Sequence, residues 1–434
     1  MSWFPPALYA SDPPAVPALR PLQTPSELPK TKWDLWKNGT YLRGANIYQR
    51  RVFPALDGLE FLGPGPMGPP YTQEDFNQLA AWGANYVNIS YSGLFRVDPP
   101  YEVDPEVQHN LDDLLDMAVR ADLFAVLSFR SGPGRSDLAL FYWDSLDKRY
   151  FNDKVWNSPA AQDAWVQMWR YTAARYRNHP VIVGYDLMVE PNSNQTGSDY
   201  FTGRLDIWDP GEFYARYQGT LYDWNQLHPR IVAAIREVDP DTPVLIGGNS
   251  YSSVSWLPYV TPVNDPRVVY TAHQYEPFDS YTHKDWRAAD FGQAVYPGRI
   301  DLNGDGTKDN FNRAWLNAQL RPIDTFITQN HAPVAVNEFG VMRWENNAGQ
   351  YLRDQMELFE LRGMNHALWL WESSWPPYSA VDDFNVRHGP DPRNHAEAPA
   401  SDLITAIREA WARNQIRPSQ MNPPSAIQDF EIHP

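Results

Sequence analysis

Eight short apolar runs rich in β-branched residues alternate with longer helical patterns along the 434 residues, and this alternation predicts an α/β protein of the (β/α)8 (TIM) barrel class. Loop lengths point the same way. Links from helix to strand are very short, at Gly83-Ala84, Asp122-Leu123 and Asn178-His179-Pro180, whereas long insertions follow the strands. A third observation is that two of the runs end in a glutamate, Glu190 and Glu338. Barrels of this class carry their chemistry at that end of the strands.

The elements follow in order. The first 30 residues hold eight prolines, so residues 1–30 are expected to form an extended arm and not a helix. Residues 31–416 contain no linker rich in Gly, Ser or Pro and no fixed-period repeat, and are expected to fold as one catalytic domain, with residues 417–434 as a second Pro-rich tail. Strands are expected at 42–46, 85–90, 124–129, 181–190, 244–248, 268–275, 334–339 and 367–371. Helices are expected at 73–82, 107–121, 160–177, 213–238, 313–328, 349–361 and 401–411, with a weaker one at 253–259 after the fifth strand. Long insertions after strands one, three, four, six and eight (49–71, 130–158, 191–211, 276–310 and 372–400) place the elaboration on one face.

Composition excludes several classes. A net charge of −17, with no basic run, argues against nucleic acid as a partner. No apolar run approaches the roughly 20 residues of a membrane helix. Zero cysteines remove disulfides and thiolate chemistry, and leave the compartment open. The start, Met1-Ser-Trp-Phe-Pro-Pro, shows no signal peptide, so an extracellular or periplasmic location is expected only where a leader has been removed. The chain is expected to be a monomer. The 18 Trp, 24 Tyr and 19 Phe exceed what a core needs, and aromatic faces stack on sugar rings.

Among motifs, Gly63-Pro-Gly65-Pro-Met-Gly68 fits a dinucleotide fingerprint in form. Its prolines lack the N–H donors that a pyrophosphate needs, and no strand precedes it. A Walker loop, a Gly-x-Ser-x-Gly elbow and a His-Glu-x-x-His helix are absent from the sequence. The glutamate pair carries more. A carboxyl at the end of an apolar barrel strand points into the mouth, where burial raises one pKa while hydrogen bonds keep another group ionised.

With these residues in place the chain resembles the retaining glycoside hydrolases of clan A, and family 5 most closely, over residues 41–371. Arg43-Gly44-Ala45-Asn46 matches the Arg-Gly-x-Asn element of the first strand, Glu190-Pro191 the acid/base glutamate before proline, His273-Gln274-Tyr275 the His-x-Tyr of the sixth strand, and Glu338-Phe339-Gly340 the nucleophile. The resemblance implies a retaining β-glycosidase acting on a poly- or oligosaccharide, with Glu338 as nucleophile and Glu190 as acid then base. It also implies that Arg43 holds the Glu338 carboxylate and Asn46 lies at the site, that Tyr275 bonds Glu338 with His273 beside it, and that Trp369 or Trp371 offers a sugar platform. No cofactor is expected for catalysis.

Two positions depart from the family. Val189 stands where the family carries an asparagine for the sugar 2-hydroxyl, and Leu127-Ser128-Phe129-Arg130 lacks the histidine usual after the third strand. Arg130 is therefore a candidate sugar contact, or else a partner for Asp137. Separately, Asp301-Leu-Asn303-Gly-Asp305-Gly-Thr307-Lys-Asp309-Asn-Phe-Asn312 has oxygen side chains spaced as in an EF-hand loop, with Asn312 in place of the bidentate glutamate. A structural calcium ion is the expectation there. A catalytically silent carbohydrate-binding barrel, and a metal-dependent hydrolase, are the alternatives from other classes.

Overall fold

The computed structural model describes residues 28–37, 39–58, 65–140, 148–197, 205–302, 304–376 and 380–421. Most of the expected N-terminal arm, most of the C-terminal tail, Gly63 and Asn303 lie outside these residues. Strands β1 (Arg43–Tyr48), β2 (Tyr86–Ser92), β3 (Phe124–Ser131), β4 (Ile182–Asp186), β5 (Val244–Gly247), β6 (Val268–Gln274), β7 (Val334–Phe339) and β8 (His366–Leu368) pair in parallel and in chain order, and β8 closes onto β1. This is a (β/α)8 barrel.

Helices α1 (Gln73–Ala81), α2 (Pro105–Arg120), α3 (Pro159–Tyr176), α4 (Pro210–Tyr217), α5 (Trp224–Arg236), α6 (Arg313–Gln319), α7 (Arg321–Asn330), α8 (Ala348–Glu360) and α9 (Asp402–Trp411) surround it. Their starts are written locally. Asp104, Ser158 and Asp209 each accept a hydrogen bond from a first-turn amide, and a proline follows each at the first helical position, where its missing N–H costs nothing. Thr72 and Asp75 form a reciprocal capping box at α1.

Several expected boundaries shift for identifiable reasons. The helix expected at 213–238 is two, because Gly219 takes φ +77° and Asp223 restarts the chain as the cap of α5. The one expected at 313–328 breaks at Leu320, with Pro322 in the first turn of α7. The weak helix after β5 is a 3₁₀ turn, Val254–Tyr259. Strand four stops at Asp186, four residues short of Glu190, and strand eight stops at Leu368.

The barrel interior has two characters. Its lower part is apolar: Phe124, Val126, Val183, Leu245, Val269, Ala335 and Ala367 form one cluster, into which Leu35 and Trp36 of the short helix Asp34–Lys37 insert from below. The Trp36 indole donates to the Val183 carbonyl at 2.9 Å. Above this the filling is polar and linked by hydrogen bonds: Asn88 donates to Asn46 at 2.6 Å, Ser128 to Asn88 at 2.6 Å, Asn337 to Asp186 at 2.5 Å, and Asn46 to the Asn337 carbonyl at 2.9 Å. That network is the floor of the mouth. Among the described residues no helix is long and apolar enough to cross a membrane.

Candidate active site

Glu338 leaves β7 near its end, and the hydrogen bonds around it fix its position. The Arg130 guanidinium donates to one carboxylate oxygen at 3.0 Å and the Tyr275 hydroxyl to the other at 2.9 Å. Arg130 also donates to Ser90, and its cation lies 5.1 Å from the Tyr48 ring centre and 4.7 Å from that of Trp369. Glu190 stands beyond the end of β4 with φ +52°, and its carboxylate meets His273 Nδ1 at 2.9 Å. The same nitrogen is 3.6 Å from Glu338. One oxygen of each glutamate and a His273 ring nitrogen lie within 4.8 Å of one another.

The electrostatics follow from burial and this shared imidazole. Burial opposes charge on His273, but Glu338 and the hydrogen bond to Glu190 outweigh it and hold the imidazole above its ordinary value. Burial would raise Glu190 as well, yet the hydrogen bond and charge of His273, with Arg130 and Arg135 behind, bring it below the usual carboxylate range. Glu338 is raised, by burial first and by the Glu190 charge, against the pull of His273 and Arg130. Asp186, in the floor, is pushed up to about 7, mainly by burial.

The sequence expectations fare unevenly. Glu190, Glu338, His273, Tyr275, Arg130 and Trp369 come together at the mouth. Arg43 does not. It begins β1 at the opposite end of the barrel and forms a two-pronged pair with Glu360 at 2.9 and 3.1 Å, so the expectation that it holds Glu338 is corrected, and Arg130 occupies that place. Asn46 is completely buried in the polar floor and spends its amide on barrel carbonyls and Asn88. Trp371 is likewise completely buried, edge-on to Trp82 with its indole bonded to the Asp75 carbonyl, and is no platform. Asp137 pairs with Ser92 and not with Arg130.

Sequence reasoning missed Arg135, Asp186, Tyr48 and Phe384. Arg135 is buried and donates to three backbone carbonyls, Asp186 carries the raised carboxyl of the floor, and Phe384 packs against Tyr275 with ring centres 6.1 Å apart. The signal for Asp186 was present, since an acidic residue inside the run Val181-Ile-Val-Gly-Tyr-Asp-Leu-Met-Val interrupts an otherwise apolar strand. Phe384 comes from a loop distant in sequence, and nothing local marks it.

In the loop expected to bind calcium, Asp301 accepts from the amides of Gly304 and Gly306 at 2.8 Å each, and the Asp305 carboxylate accepts from the Thr307 amide at 2.7 Å. Asp309 enters the hairpin strand Asp309–Phe311, and Asn312 caps α6. A further cluster lies after β8, where Asp382 meets His388 at 2.7 Å and also His395. The buried Arg343 guanidinium sits 3.5 Å from the same carboxylate, so a fixed cation already balances it.

A family model described as cellulase (glycosyl hydrolase family 5) matches residues 49–374. The chain belongs to glycoside hydrolase family 5. Endoglucanase C of Acetivibrio thermocellus is 24% identical over 323 residues, spanning 69% of this chain and 83% of that protein. Cellulase CelDZ1 of a Thermoanaerobacterium species is 20% identical over 391 residues, 89% of this chain and 76% of that protein. The crystal structure of endoglucanase Cel5A from the hyperthermophilic Thermotoga maritima superposes with a TM-score of 0.57 at 17% identity, covering 87% of this chain and 99% of that one, a likeness of fold. This family 5 chain is an enzyme that hydrolyses glycosidic bonds.

Proposed function

We propose that this family 5 enzyme cleaves a β-linked poly- or oligosaccharide with retention, Glu338 attacking the anomeric carbon and Glu190 serving as acid and then base. The spacing of the two carboxylates carries the reading. Oxygens brought within 4.8 Å suit double displacement, for which the carboxyl groups stand about 5–5.5 Å apart; inversion needs about 6.5–9.5 Å to seat a water. The donors from Arg130 and Tyr275 favour the ionised form of Glu338 despite its burial. The proton that Glu190 must deliver is held in the resting site by His273 across 2.9 Å, and its transfer leaves a neutral imidazole and a protonated Glu190.

Val189 is 2% exposed and apolar, and offers no donor to a sugar 2-hydroxyl. Activity on plain β-1,4-glucan is therefore expected to be weaker than on another β-glycoside, with a glycan panel as the measure. Catalysis needs no metal on this reading, and a calcium ion at Asp301, Asp305 and Asp309 would order the hairpin beside it. Incubation with an activated 2-deoxy-2-fluoro glycoside should leave a covalent sugar on the Glu338 peptide by mass spectrometry, and product NMR should show the retained anomer. Inverted product would overturn the proposal.

A further inference from the structure

Glu190 poses a structural problem. Its strand ends at Asp186, the last backbone bond to a neighbouring strand is from the Val189 amide to the Phe129 carbonyl at 2.9 Å, and beyond it the Glu190 backbone adopts φ +52°, a left-handed conformation that a non-glycine residue keeps only where its surroundings over-determine it. Beside the Val189–Phe129 and Tyr251–Pro191 backbone bonds, one side chain holds both peptides that flank Glu190. Arg135, 0% exposed, donates from Nη1 to the carbonyls of Arg130 at 2.6 Å and Val189 at 2.9 Å, and from Nη2 to the Glu190 carbonyl at 2.7 Å and Asn192 Oδ1 at 3.2 Å. Its planar fork thus grips the peptide on either side of the Glu190 Cα. The same fork holds the peptide of Arg130, whose own side chain grips Glu338.

The chain delivers Arg135 to this spot by a tight return. Gly132 and Arg135 exchange backbone hydrogen bonds of 2.9 Å in both directions, and Gly134 turns at φ +69° with a neighbour 2.7 Å from where a Cβ would stand. The arginine is built in from the loop after β3 and does not reach across solvent.

We propose that Arg135 is a positioning residue: a strut between the loops after β3 and β4 that sets the Glu190 carboxyl at its working distance from Glu338. This rests on the assignment of Glu190 as acid/base. A lysine keeps the charge but lacks the fork, and cannot bridge these carbonyls together. A misplacement near 1 Å in a reacting group costs about 100-fold in rate, and here the loss should fall on the two steps that Glu190 serves, protonation of the leaving group and activation of the water.

The test compares Arg135→Lys and Arg135→Ala with Glu190→Gln on aryl glycosides spanning good and poor leaving groups. Both Arg135 variants are expected to lose about 100-fold in kcat/KM on poor leaving groups and far less on dinitrophenyl-type ones, whose kcat and KM should instead fall together as base-assisted hydrolysis of the glycosyl-enzyme becomes limiting. Arg135→Ala should also move the basic limb of the pH profile upward, since a cation beside Glu190 is gone, and added guanidinium should restore part of the rate. Where Arg135→Ala fails to fold, Arg135→Lys alone decides by its leaving-group dependence. Equal losses of kcat/KM on all leaving groups, or a lower melting temperature with unchanged kinetics in the folded fraction, would overturn the strut. If Glu190→Gln itself shows no leaving-group dependence, the acid/base assignment fails and not merely the strut.

Discussion

Replacing Arg130 by glutamine removes the guanidinium that touches Glu338. At 3.0 Å the direct attraction between unit charges is roughly 5 kcal/mol with an effective dielectric of about 20, part of which offsets the burial of both groups. What is lost in the reaction is a charged donor that orients the nucleophile and keeps it ionised, and a fall of about 10²–10³ in kcat, the size found for one preorganised active-site donor, is the expected scale. The pH dependence carries a sign. Arg130 lowers Glu338; without it the carboxyl holds its proton to higher pH, so the acid limb of kcat/KM must move upward. The assay is the kcat/KM profile on an activated aryl glycoside, run beside Arg43→Gln. Arg43 pairs with Glu360 at the far end of the barrel, where Arg413 also reaches Glu360, so that variant should cost about 1–3 kcal/mol of stability and leave the limb in place. An unmoved limb and unchanged rate in Arg130→Gln, or a limb that follows Arg43, would refute the reasoning.

Other outcomes follow from the same geometry. Asp186 has its pKa raised to about 7 from 3.8, so its folded form binds the extra proton. This contribution to stability is full below pH 4 and is lost as pH rises towards 7, at about 1.4 kcal/mol for each pH step of one between the two values. Asp186→Asn should therefore raise the melting temperature at pH 8 and not at pH 4, by calorimetry. Trp371→Ala should cost about 3–5 kcal/mol of stability as a buried large-to-small change with little effect on KM, whereas Trp369→Ala, which removes a ring under Arg130 at the mouth, should reduce turnover; denaturant curves and kinetics separate the two. Chelator should leave turnover unchanged, and a calcium-dependent rise in melting temperature that Asp301→Ala abolishes would assign the loop.

The barrel was legible because apolar runs and short helix-to-strand links are local signals; the starts of α2, α3 and α4 carry a local signal as well, a capping residue before proline at Asp104, Ser158 and Asp209. Glu190, Glu338, His273 and Tyr275 were legible because their neighbours in sequence form recognisable motifs at strand ends. Arg43 misled for a geometric reason. A strand of six residues spans the barrel, so a motif at its first position sits at the wrong end for a mouth contact. Trp371 misled in a similar way, since beyond Leu368 the chain has left the ladder and alternation no longer tells which side a ring faces. Arg135 was invisible because its role depends on a return turn and on partners 54 and 55 positions away.

The helix Asp34–Lys37 has a consequence for where the polypeptide can be shortened. The matched family region opens at residue 49, beyond this helix and beyond β1, and a truncation drawn at that border would remove the stopper from the base of the cylinder as well as one of its staves. Water would then enter beneath Val126, Val183 and Leu245, and β2 and β8 would each present an unpaired edge. A unit that keeps both the stopper and β1 therefore starts upstream of Asp34, well outside the stretch that sequence similarity delimits.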